Sequence, residues 1–167
     1  MPTTEDQLPP HWLEAVRRPE VRVELEALHD YTAAAIESRK PLCTASGRCC
    51  NFDAYGHRLY ATGLETAYTV SLLGGKQNLL TRDSLRTARA RGNCPFQLDR
   101  LCETHTIRPL GCRVYFCDPT AQDWQQDLYE RLLKELRSIH ARHSVEYRYG
   151  EWRGMLEMFL SAPEPQF

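Results

Sequence analysis

An excess of charge of one sign is what this sequence lacks most plainly. Its 167 residues carry 21 Lys and Arg against 22 Asp and Glu, so the formal net charge is -1 and the pI is about 6.6. Proteins that bind nucleic acid usually show a basic patch or a high pI. The only basic run contains Arg82, Arg86, Arg89 and Arg91, and its pattern is typical of a solvated helix face. We therefore expect no specific binding of nucleic acid.

Long apolar runs are missing as well. No stretch is long enough to span a bilayer, and the first residues, MPTTEDQLPP, are polar and acidic rather than basic and then apolar. Gly74-Gly75-Lys76 lacks the spacing, the second glycine and the following Ser or Thr of a phosphate loop, and no dinucleotide fingerprint occurs. These absences predict no membrane partner, no signal peptide, no bound nucleotide and a cytoplasmic location.

Cysteine, in contrast, is abundant, and its distribution is uneven. Two segments, 43–50 and 94–117, hold all seven cysteines: Cys43, Cys49, Cys50, Cys94, Cys102, Cys112 and Cys117. In a reducing cytosol disulfides are rare, and clustered cysteines are more often metal ligands or catalytic thiols. The odd count also rules out full pairing within the chain. We therefore favour metal binding over a disulfide framework or over buried and reactive free thiols.

The spacings C-x5-C-C and C-x7-C-x9-C-x4-C exclude several familiar metal sites. Zinc ribbons and fingers have C-x2-4-C knuckles in both halves, and only the pair Cys112 and Cys117 comes near that pattern. The compact loop of radical enzymes that cleave S-adenosylmethionine is absent, and so are ferredoxin spacings. Irregular spacing with more than four thiols fits an iron–sulfur cluster with spare cysteines, or a compact zinc site. Both stay open, with the iron–sulfur cluster narrowly favoured.

Neither cysteine segment can easily supply four ligands by itself. The upstream one has three thiols, two of them adjacent, and the downstream one has four that are widely spaced in a chain stiffened by two prolines. We therefore predict that both segments converge on one centre. Gly47 permits a positive φ and a tight turn that brings Cys43 and Cys49 toward one point. Cys49 and Cys50 diverge in any regular element, so either the pair lies in a turn or one ligates while its neighbour packs. Spacing alone does not decide whether Cys49 or Cys50 is the ligand.

Two arginines lie within the downstream segment. Arg108 and Arg113 are close enough in sequence to the thiols to offset thiolate charge or to donate hydrogen bonds to the sulfurs. We predict that they support the metal centre without ligating it. His105 is a less favoured substitute for one cysteine ligand.

Helical periodicity dominates the rest of the chain. Apolar residues recur every three or four positions in five segments, and Thr62 with Glu65 forms a capping box at the start of one of them. Alternation predicts only a short β pair, near 59–62 and 145–149.

The sequence thus predicts a mainly α, compact single-domain helical fold over residues 1–167, with a minor short β pair and a cysteine-rich metal-binding loop region. Within it we distinguish an N-terminal helical arm (1–40), a cysteine-cluster core (41–118) and C-terminal helices (119–162).

These motifs together resemble the YkgJ-type cysteine-cluster family, which is described as zinc- or iron-chelating. The family's first motif is C-x2-C-x2-C-C, and Cys43, Cys49 and Cys50 match its first, third and fourth thiols while Ser46 takes the place of the second. The downstream motif matches in full: Cys94 with Pro95, Cys102, Arg108 with Pro109, Cys112 with Arg113, and Cys117.

What the resemblance implies is chelation through these cysteines. It places Cys50 as a ligand, so the leading set is Cys50, Cys94, Cys102, Cys112 and Cys117, with Cys43 and Cys49 next. A hydroxyl is a poor ligand for soft metals, so Ser46 marks either a dispensable position or an open or oxygen-filled coordination position.

Two classes of function follow. The first is a metal-binding module with a structural or electron-transfer role, acting with an unidentified protein partner. The alternative is a metal-dependent enzyme that acts on protein side chains, because some proteins of this family resemble the lysine methylase of flagellin.

Overall fold

Residues 4–161, the part of the chain that the computed structural model describes, are mainly helical. The α-helices are α1 (Leu8–Arg17), α2 (Pro19–Arg39), α3 (Phe52–Tyr55), α4 (Gly63–Ser71), α5 (Arg82–Arg91), α6 (Leu110–Arg113), α7 (Gln122–Arg142) and α8 (Trp152–Ser161). The strands are β1 (Tyr60–Thr62), β2 (Gln97–Leu98), β3 (Leu101–Cys102) and β4 (Tyr149–Glu151). Short 3-10 turns lie at Glu5–Gln7, Arg48–Cys50, Gly74–Leu79 and Pro119–Ala121.

Local sequence signals explain most helix ends. Pro19 stands in the first turn of α2, where its missing N–H costs nothing. The capping box predicted for Thr62 and Glu65 is confirmed at the start of α4. α5 ends at Gly92, whose φ of 73° is the left-handed conformation that glycine adopts readily. The four arginines of the basic run all lie on α5 and are exposed, as expected of a solvated face.

The predicted β pair is present, but its second strand starts later than expected. β1 pairs with β4 in antiparallel fashion, with Tyr60 opposite Glu151 and Thr62 opposite Tyr149. Residues 145–148 are not part of the strand, because Val145 donates its N–H to the carbonyl of His140 and so closes the end of α7. A second two-stranded sheet, β2 with β3, was not predicted.

One hydrophobic core lies where α1, α2, α4 and α7 meet. Its buried side chains include Trp12, Val16, Leu25, Leu64, Leu128 and Leu136. α1 and α4 approach closely at Gly63, where any added Cβ would lie within 2.5 Å of the Trp12 ring. This core fixes α4, and with it the loop and helix that carry Cys112.

A second core lies beneath the cysteines. It joins Cys50 and Cys94 to large apolar side chains from α3, the 94–96 segment and α8, among them Phe52, Phe96, Trp152 and Leu156. The cysteine segments are therefore anchored on one side by packed apolar groups. The irregular backbone between Cys94 and Cys117 does not have to provide its own core.

The three predicted segments pack on one another throughout. α1 contacts α4, α2 contacts α7 and α5 contacts α8, so helices from the N-terminal, central and C-terminal segments interleave. Residues 1–3 and position 162 of those segments lie outside the described residues. Within residues 4–161, no helix combines the length and the apolar character that crossing a membrane requires.

Candidate metal centre

All seven cysteines are free thiols, and they line two adjoining cavities. The inner cavity, about 90 Å³, is lined by Cys43, Cys49, Cys50, Cys94, Cys102 and Cys112. The outer cavity, about 420 Å³, is lined by Cys43, Cys49, Cys50, Cys102 and Cys117. Both cysteine segments therefore line the same two cavities.

Gly47 shapes the upstream segment. Its φ of 77° turns the chain into the 3-10 turn Arg48–Cys50, and its carbonyl oxygen accepts a hydrogen bond from the N–H of Cys50 at 3.2 Å. The same carbonyl accepts from Nε2 of Gln97 at 3.0 Å. A Cβ at Gly47 would lie 3.0 Å from the carbonyl oxygen of Arg100, so only glycine lets the two segments approach this closely.

The backbone joins the two segments directly. The N–H of Cys94 donates to the carbonyl of Cys50 at 2.8 Å, and nearby the N–H of Asp53 donates to the carbonyl of Gly92 at 2.9 Å. Cys50 and Cys94 are both buried, with 8% and 5% of their surface exposed. Their side chains are thus held beside each other by the fold itself.

Cys102 is placed by the hairpin that the sequence did not predict. β2 and β3 pair Gln97 with Cys102, and Asp99 takes a left-handed conformation with φ 55° in the two-residue turn between them. The sulfur of Cys102 lies 3.6 Å from the hydroxyl of the buried Thr104. An Asp in a two-residue loop between Leu98 and Leu101 is the weak signal that could have indicated this hairpin.

Cys112 lies in the short helix α6. Pro109 precedes the helix, and the N–H of Cys112 donates to its carbonyl at 3.0 Å. A buried carboxylate ties the helix to the rest of the fold, because the N–H of Leu110 donates to Oε1 of Glu65 at 2.8 Å. Burial raises the pKa of the Cys112 thiol well above its usual range, and the neighbouring thiols add to this.

Cys50 lies among the other thiols of the inner cavity. Its sulfur lies 4.0 Å from that of Cys49, and Cys94 and Cys102 line the same cavity. Interaction with the thiols of Cys102, Cys49 and Cys94, and then burial, raises the pKa of Cys50 far above its usual range, so it keeps its proton. Interaction with Cys50 lowers the pKa of Cys102 to about 6 and that of Cys49 to about 7.

A formed metal site is not part of this arrangement. Within residues 4–161, no group of three or more His, Cys, Asp or Glu side chains is placed to hold one metal ion. The thiols of Cys49 and Cys50 share a hydrogen bond instead, with their sulfurs 4.0 Å apart. Bound metal would replace these thiol protons, which is how thiolate sites ordinarily form.

Arg108 and Arg113 lie beside the thiols but differ in what they do. Arg113 donates through Nε to the carbonyl of Arg108 at 2.8 Å and through Nη2 to that of Thr106 at 2.7 Å, so it braces the loop. Arg108 donates to the carbonyl of His105 at 2.8 Å. Its charge adds to the lowering of the Cys102 pKa, of which the neighbouring Cys50 thiol is the largest cause. Both arginines line the inner cavity.

His57 is a supporting residue that the sequence did not reveal. Its Nε2 lies 3.2 Å from the carbonyl oxygen of Cys49, and its ring stacks on Tyr115 with the ring centres 4.4 Å apart. Tyr115 in turn lines both cavities. Nothing in the spacing of this histidine distinguishes it, since only the tertiary fold brings it against Cys49.

Cys43 and Cys117 differ from the other five thiols, since both are exposed. Cys43 lines both cavities, whereas Cys117 lines only the outer one. The structure therefore separates the predicted ligands into an inner group and an outer pair. We call Cys49, Cys50, Cys94, Cys102 and Cys112 the inner thiols, and Cys43 with Cys117 the outer thiols.

No family model, no curated protein and no solved structure matches this chain.

Proposed function

We propose that the protein chelates an iron–sulfur cluster or zinc through its inner thiols, in a structural or electron-transfer role with a protein partner. The observation that carries the proposal is that inner thiols of both segments line one cavity. Cys49 and Cys50 come from the first segment, and Cys94, Cys102 and Cys112 come from the second. Five thiols are enough for a four-thiolate site with one in reserve.

The chemistry of the donors fits a soft metal. Thiolates select zinc, copper(I) and iron–sulfur clusters over hard cations. The lowered pKa values of Cys49 and Cys102 supply two thiolates near neutral pH, and Arg108 beside them offsets negative charge. Partly buried thiolates repel one another unless a cation compensates them, so metal binding would stabilise the folded chain.

Two observations bear on which centre is held. The inner cavity of about 90 Å³ is several times the space that one water molecule needs, which favours a cluster over a single ion. The sulfurs of Cys49 and Cys50 lie 4.0 Å apart. That distance is close to the separation of about 3.8 Å between sulfurs in a tetrahedral zinc site with bonds of about 2.3 Å. The first observation supports iron–sulfur, and the second supports zinc.

The test is anaerobic purification followed by elemental analysis and an absorption spectrum. A brown protein with bound iron and sulfide supports the cluster, and a colourless protein with one equivalent of zinc supports the zinc site. A protein that contains neither, and that takes up neither on reconstitution under reducing conditions, refutes the proposal. Cys50→Ser is the informative variant and Cys117→Ser the matched control, because only the first removes an inner thiol.

A further inference from the structure

We propose that Cys43 and Cys117, the outer thiols, form a dithiol–disulfide couple that is separate from the metal-binding thiols. Its oxidant would be a small disulfide of the glutathione type. The inference does not depend on which metal the inner thiols hold. It follows from how two stretches of chain run past each other at the mouth of the outer cavity.

Hydrogen bonds bring the chain around Cys43 next to the chain around Cys117. Nη2 of Arg39 donates to the carbonyl of Thr120 at 2.8 Å, and the N–H of Leu42 donates to Oδ2 of Asp118 at 3.0 Å. Cys43 directly follows Leu42, and Cys117 directly precedes Asp118. The outer thiols therefore lie on neighbouring stretches of chain.

The position of the outer thiols suits a disulfide. A disulfide requires Cα atoms about 4.4–6.8 Å apart, and each outer thiol is next in sequence to a residue of the Leu42–Asp118 contact. Both side chains line the outer cavity, and both are exposed, so a soluble disulfide can reach them.

The segment that carries Cys43 is able to adjust its backbone to form such a bond. Residues 40–46 form neither helix nor strand, and Lys40 and Ala45 each take a left-handed conformation with φ 52°. The inner thiols, by contrast, sit on elements anchored by the second core. A bond between the outer thiols would therefore tie this loop across the mouth of the outer cavity.

The exchange balances without any further reactant. One outer thiolate attacks a sulfur of the small disulfide, which breaks its S–S bond and releases one small thiolate that takes up a proton. The second outer thiolate then attacks the protein-bound sulfur of the mixed disulfide and releases the second small thiolate, which is protonated in turn. Two protein thiols are oxidised, and one disulfide is reduced to two thiols.

The experiment equilibrates the full-length protein, as purified, with glutathione redox buffers and maps its disulfides by mass spectrometry. We expect a Cys43–Cys117 linkage that appears as the buffer becomes oxidising and disappears when it is made reducing. Bound metal should be unchanged across the same series. Alkylation of the inner thiols should slow when the linkage is present, because the loop then crosses the mouth of the cavity.

Two controls make the result specific. In the double variant Cys43→Ser with Thr44→Cys, the thiol moves one residue along the loop, and the linkage should be lost while glutathione adds to the new cysteine. Cys43→Ser and Cys117→Ser should each keep their full metal content. The proposal is overturned if wild-type protein carries glutathione on both outer thiols without linking them. It is also overturned if either Ser variant loses its metal, since that would make the outer thiols ligands.

Discussion

The N–H of Cys94 donates a hydrogen bond of 2.8 Å to the carbonyl oxygen of Cys50. The two residues belong to different cysteine segments, so this bond fixes the distance between those segments through the backbone alone. It also holds Cys94 beside Cys50, in the cavity that Cys49 and Cys102 line as well. The inner thiols are therefore gathered by the fold, and a metal would bind to a site whose backbone is already in place.

Removal of an inner thiol should lower both the metal content and the free energy of unfolding. We expect Cys94→Ser and Cys112→Ser each to lose bound metal and to lower the free energy of unfolding by about 3 kcal/mol or more. For a chain of this size, such a loss lowers Tm by roughly 6–12 °C. Metal content by elemental analysis and Tm by thermal unfolding should fall together, because binding and folding are coupled.

Cys43→Ser provides the comparison for that pair of variants. Its thiol is exposed, so the substitution should leave Tm and metal content close to those of the wild type. If Cys94→Ser and Cys112→Ser kept full metal and wild-type Tm, the two segments would not share one metal centre.

Local signals in the sequence predicted a good part of this fold. The capping box of Thr62 and Glu65 is visible in four residues of sequence, and so is the need for glycine at position 47. Such features depend on the conformation of a few neighbouring residues, which a short stretch of sequence determines. The pairing of β1 with a strand near 149 was predicted for the same reason, from two short alternating segments.

The features that the sequence did not predict depend on contacts between residues that are far apart in the sequence. The hairpin that places Cys102 consists of only two pairs of residues, too few to create an alternating pattern. The exposure of Cys117 follows from the path of the chain after α6. Identical residue types at similar spacings therefore end in the inner group or the outer pair, and spacing cannot separate them.

Gly47→Ala should disrupt the meeting of the two segments. An alanine at φ 77° is strained, and its Cβ would lie 2.7 Å from Nε2 of Gln97 and 3.0 Å from the carbonyl oxygen of Arg100. The left-handed conformation alone costs a non-glycine residue about 1–2 kcal/mol, and the contact with the Arg100 backbone adds to this. We expect a loss of more than about 2 kcal/mol in unfolding free energy, together with weaker metal retention against a chelator.

Gly56→Ala separates the backbone strain of a positive φ from the steric clash of an added Cβ. Gly56 also has a positive φ, of 66°, but no atom lies within 4 Å of its added Cβ. This variant should lose only about 1–2 kcal/mol and should hold metal as the wild type does. Equal losses in the two variants would show that the close approach at Gly47 does not matter.

Gly111→Ala should affect the position of Cys112 through a backbone contact. A Cβ at Gly111 would lie 3.0 Å from the carbonyl oxygen of Tyr60 in β1, so α6 would have to move away from the strand. We expect a loss of about 1–3 kcal/mol, the usual cost of overpacking, measured by urea unfolding. Gly154→Ala in α8 has its nearest neighbour at 3.9 Å, so it should instead gain about 0.5–1 kcal/mol. Destabilisation of both variants would rule out the specific contact as the cause.

Glu65→Gln tests the link between the start of α4 and the helix that carries Cys112. The carboxylate is almost completely buried, and it accepts from the N–H and hydroxyl of Thr62 at 2.7 and 2.9 Å and from the N–H of Leu110 at 2.8 Å. Glutamine has only one acceptor oxygen, so its NH2 group must face a donor on one side. We expect a loss of about 1–3 kcal/mol in unfolding free energy, the cost of leaving buried hydrogen-bonding groups unsatisfied.

The same carboxyl group predicts a pH dependence with a definite sign. Burial raises the pKa of Glu65 above its ordinary value of 4.5, even though its hydrogen bonds oppose the shift. The folded protein therefore binds this proton more tightly than the unfolded chain does. The contribution of Glu65 to stability is fully present below the ordinary pKa and is lost as pH rises through the raised one. The difference in unfolding free energy between wild type and Glu65→Gln should shrink as the pH is raised.

Urea unfolding of both proteins, from mildly acidic to mildly alkaline pH, measures that difference directly, because the other carboxyl groups titrate alike in both. Metal content is determined at each pH, so that only samples with equal loading are compared. Glu37→Gln, an exposed change on α2, is the matched control for replacing a carboxyl group by an amide. A difference between wild type and Glu65→Gln that stayed constant, or that grew toward alkaline pH, would show that the carboxyl group is ionised in the fold. Its hydrogen bonds to Thr62 and Leu110 would then outweigh the cost of burying its charge.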